Sequence, residues 1–302
     1  MKVAVTGATG FVGTRLIQRL QAEGHSVVAF VRTPKSLTPS ATLEIVTYNA
    51  SESGAWQDAI SGCDGVVNLA GEPIAESRWT PERKKSLLES RTVTTEKLVE
   101  AIAKAASKPS VLVNASAIGF YGTSETATFD ESSAPGSDFL AEICQAWEAE
   151  ASKVREFGTR LVILRLGVVL GNGGALEKFL TPFKLFAGGP IGSGRQWFSW
   201  IHREDLVSLM IRSLSDPSFE GVYNATAPNP VRMADMTTAL GQVMNRPSWL
   251  PVPGFAIEAL LGDGAIVVLQ GQEVLPKRTI ASGFEYQYST VKPALQEILA
   301  NQ

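Results

Sequence analysis

Lys2-Val3-Ala4-Val5-Thr6-Gly7-Ala8-Thr9-Gly10-Phe11-Val12-Gly13 is the stretch that decides the fold. Its first residues form a short apolar run that reads as a buried strand. Gly7, Gly10 and Gly13 then permit a tight turn and a close approach of the backbone to whatever lies opposite. Val12, Leu16, Ile17 and Leu20 follow at helical spacing until Gly24 ends the pattern. A strand that passes through glycines into a helix N-terminus presents backbone N–H groups and the positive end of a helix dipole to an anion. Ser26–Val31 reads as the next strand, completing the β-α-β unit that a dinucleotide's pyrophosphate requires.

Working outward, Leu43–Tyr48, Gly65–Leu69, Val111–Ala115 and Arg160–Leu164 read as strands, and Pro81–Ala106 and Asp138–Phe157 as helices. Such alternation predicts a parallel sheet covered on both faces. After Gly171 the rhythm changes. Residues 172–199 are rich in glycine and aromatics and read as a lobe or loop over the sheet's carboxyl edge. A helix over Arg203–Leu214 and a strand over Val222–Ala225 return to the sheet. Beyond Pro228-Asn229-Pro230 come a helix over Met233–Met244, turns at Pro247, Pro251 and Pro253, two more helices and a last amphipathic one over Thr290–Leu299. The expected architecture is α/β: a Rossmann-type doubly wound parallel sheet with a smaller mixed α/β C-terminal substrate lobe. The dinucleotide domain is expected over 1–171, with a return segment over 196–226. The substrate lobe and C-terminal domain are expected over 172–195 and 227–302.

The 302 residues carry a formal charge of −3 with dispersed lysines and arginines, which gives no basic footprint for nucleic acid and points to a small-molecule ligand. Cys63 and Cys144 stand far apart without metal or redox spacing, and His25 and His202 are the only histidines, so no metal site is expected. No apolar run has the length of a membrane span; Phe255–Leu269 is broken by Glu258, Gly262, Asp263 and Gly264. Met1 leads straight into the first strand, and a cytoplasmic protein without a leader is expected.

The second strand ends in Val31-Arg32-Thr33, with Lys35 and Ser36 close behind and no acidic residue. A carboxylate there would accept the adenosine ribose hydroxyls and repel a 2′-phosphate, whereas a guanidinium fork suits phosphate. NADP(H) is therefore favoured over NAD(H). Val66-Val67-Asn68-Leu69-Ala70-Gly71 ends another strand in small residues that let a flat ring system pass.

Taken together, the glycine loop, Asn68-Leu69-Ala70-Gly71, Asn114-Ala115-Ser116 with Tyr121-Gly122, Arg165, and Trp200-Ile201-His202-Arg203-Glu204-Asp205 resemble the extended, epimerase-like branch of the short-chain dehydrogenase/reductase superfamily. Trp147-Glu148, Gly189-Pro190-Ile191-Gly192-Ser193-Gly194 and Gly271-Gln272-Glu273-Val274-Leu275-Pro276-Lys277-Arg278 narrow the resemblance to a subgroup of sugar-nucleotide-epimerase-like proteins described as NADPH-binding, some of whose cyanobacterial and plastid relatives are labelled cell-division inhibitors. It implies cofactor contacts at Gly7, Thr9, Gly10, Phe11, Val12, Gly13, Arg32, Leu69, Ala70, Gly71, Arg91, Ser116 and Val168. It also implies pairing of two copies through helices 81–106 and 138–157.

In that superfamily a Tyr-x-x-x-Lys pair exchanges the proton, and a serine orients the substrate hydroxyl. Ser116 occupies the serine position here. Anchored on Glu148, the pair falls on Leu140 and Cys144, and neither tyrosine nor lysine occurs in 138–147. Tyr121 is the nearest substitute acid, so Ser116 and Tyr121 are the candidate catalytic residues. Glu72, Arg78 and Glu142 are candidate contacts for a polar substrate. Two functions stay open. One is an NADP(H)-dependent oxidoreductase or epimerase acting on a polar, nucleotide-sugar-like substrate. The other is a non-catalytic NADPH-binding regulator that presents a surface to a protein partner.

Overall fold

The computed structural model describes residues 1–33 and 37–301. Lys35 and Ser36, expected near the cofactor phosphate, lie outside the described residues. Strands β1 (Lys2–Thr6), β2 (Ser26–Val31), β3 (Leu43–Thr47), β4 (Gly65–Asn68), β5 (Val111–Ala117), β6 (Arg160–Leu166) and β7 (Gly221–Ala225) form one sheet. Their order is β3-β2-β1-β4-β5-β6-β7, and every pairing is parallel. This is the expected doubly wound sheet, with its switch point between β1 and β4.

Period-two alternation sends neighbouring residues to opposite faces. Val3 and Val5 join Leu16, Ile17 and Leu20 of α1 (Phe11–Ala22) and Leu206–Leu214 of α5 (Arg203–Ser215) in one core. Ala4, Val28, Val66 and Leu112 join Leu98, Val99 and Ile102 of α2 (Pro81–Lys104), and Ala151 of α3 (Phe139–Ser152), in the core on the other face. Burying one such Leu or Val contributes about 1.5–3 kcal/mol, so register slips that expose a whole strand face are strongly disfavoured.

Helix starts follow local chemistry. Thr80 accepts the Arg83 N–H at 3.2 Å ahead of Pro81 in the first turn of α2, and Asp138 accepts the Ala141 N–H at 2.9 Å to cap α3. The helix expected to run to Phe157 stops at Ser152 and continues as a tighter 3₁₀ turn over Lys153–Phe157.

The glycine-rich stretch 172–199 contains a helix that its composition concealed, α4 (Gly174–Lys184), entered through Gly173 and Gly174 at positive φ and carrying Pro182 in its last turn. Leu176, Leu180 and Phe183 of α4 pack with Trp200, with Met233, Met236 and Leu240 of α6 (Met233–Met244), and with Ala294, Leu295 and Ile298 near the C-terminus in a third core. The remaining helices are α7 (Gly254–Leu261), α8 (Ile266–Leu269), α9 (Lys277–Ala281) and α10 (Val291–Ala300). Lys277 pairs with Asp130 at 2.6 Å and Glu273-Val274 adds a parallel strand to Thr128-Phe129, tying the C-terminal segment to the sheet's carboxyl edge. No helix among the described residues is long and apolar enough to cross a membrane.

Candidate functional site

At the switch point the turn after β1 meets the end of β4. A Cβ on Gly7, which has φ +65°, would lie 2.7 Å from the Leu69 carbonyl oxygen, so only glycine lets the two loops touch. A Cβ on Gly13 would lie 2.2 Å from the Gly7 carbonyl oxygen, and glycine there lets α1 start directly behind the turn. No side chain caps α1 at Gly10, and its first turn holds no acidic residue, leaving its free N–H groups to an anion. Thr9 and Gly10 are exposed on the lip. Phe11 covers the crevice from the lobe side, packed on Gly171, Gly173 and Gly174, with the Arg203 guanidinium 4.7 Å from its ring centre.

Behind the loop lies a buried polar layer. Thr6, Asn68 and Asn114 stand in register on three adjacent strands. Thr6 donates its hydroxyl to Asn68 Oδ1 at 2.6 Å, and Asn68 Nδ2 donates to Asn114 Oδ1 at 2.7 Å and to Thr95 Oγ1 at 2.9 Å. Trp147 Nε1 also donates to Thr95 Oγ1, at 2.9 Å, linking α2 and α3 to the sheet. Thr6 in turn accepts the Leu69 N–H at 3.2 Å, which fixes the Leu69-Ala70-Gly71 turn.

A second polar layer follows toward β7, where Ser116, Arg165 and Asn224 are register partners. Arg165 holds Glu148 with Nε at 2.9 Å and Nη2 at 2.8 Å, and Ser116 donates its hydroxyl to Glu148 Oε1 at 2.6 Å. Arg165 also donates to the Tyr121 hydroxyl at 3.0 Å, and that hydroxyl donates to Asn224 Oδ1 at 2.7 Å. Tyr121, expected as a substitute acid, is thus buried and bonded on both sides. Burial pushes its phenol above the usual value, against the opposing pull of Arg165, which is the wrong direction for an acid working near neutrality. Thr6, Thr95, Trp147, Glu148 and Arg165 form the frame of the site, and Thr6 was not singled out by its motif. The available signal was a polar residue ending each of the apolar runs KVAVT, VVN and VLVN.

The remaining expected contacts are distributed unevenly. Arg32 is exposed at the carboxyl end of β2. Arg91 reaches from α2 to the lip of β4: Nη2 donates to the Glu72 carbonyl at 2.9 Å and Nη1 to the Leu87 carbonyl at 2.8 Å, and a Cβ on Gly71 would lie 3.2 Å from its Cζ. Burial lowers its pKa, because its hydrogen bonds go to neutral groups while Glu72 is taken by Arg83. Ala70 is buried beside it. Val168 packs its side chain on the lobe core and donates its N–H to the Ser199 carbonyl at 2.9 Å. Glu72 and Arg78 lie on the loop after β4, with Arg78 against Gly262.

On α3 the tyrosine and lysine positions hold Leu140 and Cys144. Leu140 packs so close to Gly119 that a Cβ there would lie 3.2 Å from its own. The Cys144 thiol sits 3.6 Å from the Ala117 carbonyl oxygen, and burial, reinforced by Glu148, pushes its pKa up to about 11. No group of acidic, histidine and cysteine side chains that could hold a metal occurs among the described residues.

A glycine turn under an uncapped helix at the switch point of a parallel sheet defines the class: a dinucleotide-binding α/β protein. The profile of the NAD dependent epimerase/dehydratase family matches residues 3–225, and that of a domain of unknown function matches residues 252–298. An epimerase family protein SDR39U1 homologue from Arabidopsis thaliana, described as chloroplastic, is 50% identical over 99% of this chain and 87% of its own length. The epimerase family protein YfhF of Bacillus subtilis is 39% identical over 100% of this chain and 99% of its own. The crystal structure of human SDR39U1 isoform 2 with NADPH superposes with a TM-score of 0.89 at 37% identity, covering 100% of both chains. A nucleoside-diphosphate sugar epimerase from Corynebacterium glutamicum superposes with a TM-score of 0.80 at 30% identity, covering 100% of this chain and 59% of that one. The chain belongs to the NAD dependent epimerase/dehydratase family.

Proposed function

We propose that the chain binds NADP(H) and works as an oxidoreductase or epimerase-like enzyme without the usual tyrosine and lysine at positions 140 and 144. The observation that carries the cofactor choice is Arg32, exposed at the end of β2 where no carboxylate stands to repel a 2′-phosphate. The NADPH in the human SDR39U1 structure supports the same reading. The residues fit the group: the Gly7 cradle is one that a Cβ would fill, and α1 leaves its first N–H groups uncapped for the pyrophosphate. When bound, the nicotinamide supplies a hydride donor or acceptor. Asn68 and Thr6 fix the Leu69-Ala70-Gly71 turn, Arg91 brings a positive charge to the β4 side of the crevice, and Ser116 stands at the end of β5; these are the residues that would orient the group.

Ser116 has its proton directed at Glu148, so its oxygen meets a ligand as a hydrogen-bond acceptor. It serves as a positioning group rather than an acid. A second reading, a non-catalytic NADPH-dependent regulator with a protein partner, draws its support from Leu140 and Cys144, an aliphatic side chain and a high-pKa thiol where the tyrosine and lysine are expected.

Titration of the purified protein with NADPH and NADH tests the cofactor. NADPH is expected to bind at least about tenfold more tightly, and Arg32→Ala to remove most of that preference while changing NADH affinity little. Equal affinity of the wild-type protein for both cofactors would overturn the assignment. Persistent failure to oxidise bound NADPH with any carbonyl acceptor or nucleotide sugar would favour the regulatory reading.

A further inference from the structure

Tyr48 follows the last residue of β3, and its N–H donates to the Val31 carbonyl at 3.0 Å, one step past the register pair Val31 and Thr47. It therefore stands beside Arg32, and period-two alternation sends both side chains to the sheet face that holds Phe30. The Tyr48 ring is locked there. It meets Phe30 edge to face at 5.6 Å and Trp56, on the 3₁₀ turn Ala55–Ile60, at 5.4 Å, while Phe30 and Trp56 meet each other at 5.6 Å. Trp56 Nε1 is taken by the Glu52 carbonyl at 3.0 Å.

Packing accounts for the ring but not for its hydroxyl. A phenylalanine would fill the same space, and a hydroxyl set among apolar rings is destabilising unless it is bonded. Buried Tyr121 and half-buried Tyr286 follow that rule, donating to Asn224 Oδ1 at 2.7 Å and to the Thr226 carbonyl at 2.9 Å. The Tyr48 hydroxyl has no hydrogen-bond partner among the described residues, and it is not sealed from solvent. Burial pushes its phenol up to about 12, against the pull of the Arg32 charge, so the group lies within reach of that guanidinium's field and keeps its proton at neutral pH. Toward an anion it can act only as a donor.

We propose that the Tyr48 hydroxyl is a second donor to the 2′-phosphate of NADP(H), beside Arg32, and shares in the choice of NADP(H) over NAD(H). The proposal rests on the NADP(H) reading above. The two side chains divide the work. Arg32 brings charge and a planar fork, whereas Tyr48 brings one directional donor on a ring that Phe30 and Trp56 already hold, so little side-chain freedom is lost when phosphate binds. NAD(H) carries a neutral hydroxyl at that position and forms no charge-assisted bond with either group.

The test uses the full chain and three probes: NADPH, NADH and adenosine 2′,5′-bisphosphate, which carries the phosphate without the nicotinamide. Tyr48→Phe keeps the ring. It is expected to weaken NADPH and the bisphosphate about tenfold each, to leave NADH within about twofold, and to keep the urea unfolding midpoint of the wild type. Unchanged NADPH affinity, equal weakening of NADPH and NADH, or a lowered midpoint, which would mean that the hydroxyl is bonded within the protein, would each overturn the proposal and leave the Arg32 assignment standing. A wild-type protein with no preference for NADPH would sink the cofactor reading and this proposal together.

Discussion

Arg165 closes its guanidinium fork on Glu148 at 2.9 and 2.8 Å, and both side chains are almost wholly out of solvent, at 5% and 10% exposure. The pair lies between β6 and α3, with the Arg165 guanidinium stacked 3.3 Å from the centre of the Phe120 ring. It holds Ser116 on one side and Tyr121 on the other. This pair, rather than any residue of the missing dyad, sets the geometry of the β5 end.

Removing one partner strands the other charge. Arg165→Met is expected to cost about 3–5 kcal/mol in urea unfolding, because Glu148 is left buried and unpaired. The double variant Arg165→Met with Glu148→Leu should recover a substantial part of that loss. A single-variant cost below about 1 kcal/mol would mean that the pair behaves like a surface ion pair.

Gly13→Ala places a Cβ 2.2 Å from the Gly7 carbonyl oxygen, a backbone atom that cannot swing aside. The expected outcome is a stability loss of about 1–3 kcal/mol and a marked drop in NADPH affinity, as α1 is pushed off the turn. Gly24→Ala is the comparison. Gly24 has φ +79° with nothing within 4 Å of an added Cβ, so this variant should lose about 1 kcal/mol to backbone strain and keep its NADPH affinity. Equal effects on affinity would mean that the close contact at residue 13 is irrelevant to binding.

Tyr121→Phe removes the hydroxyl that joins Arg165 to Asn224. Stability should fall by about 1–3 kcal/mol, while any turnover of NADPH is largely kept. A loss of turnover of about a hundredfold at unchanged NADPH affinity would instead make Tyr121 the acid.

Burial pushes the thiols of Cys63 and Cys144 up to about 11 from an ordinary 9.0. Neither should react with a thiol-specific disulfide reagent at pH 8 in the native protein, and both should react once it is unfolded. The sign for stability follows. Between pH 9 and 11 the unfolded chain loses these protons and the folded chain keeps them, so stability falls as pH rises through that window. Replacing both residues by alanine should flatten this part of the curve. Rapid native labelling of Cys144 would show a thiol open to chemistry.

Much of the fold was legible because its signals are local. The apolar runs at Val3–Val5, Val27–Val31 and Val66–Val67, rich in β-branched residues and set beside glycine turns, read as the buried strands they form, and Met233–Met244 begins and ends where its sequence pattern does. Helix α4 was illegible because Gly173, Gly174 and Pro182 signal turns, and tertiary packing of Leu176, Leu180 and Phe183 outweighs them. The end of α3 was overrun for the opposite reason: helical spacing persists through Val154 while the chain tightens into a 3₁₀ turn.

For the site, the glycine turn and Arg32 speak from sequence alone, since strand, turn, helix and the β2 end lie within one β-α-β unit. The turn's conformational demands at Gly7 and Gly13 are properties of neighbouring residues. The Thr6–Asn68–Asn114 layer, the Ser116–Glu148–Arg165 chain and the packing of Leu140, Ile266 and Val267 on the cluster of Trp79, Leu87 and Ile143 join residues far apart in the chain. Hydrogen bonding and burial at those places depend on which strands pair and which helix covers them, which only the folded chain decides. The sequence by itself determined the dinucleotide-binding turn and the lack of tyrosine and lysine in 138–147; the tertiary structure decided which side chains stand there.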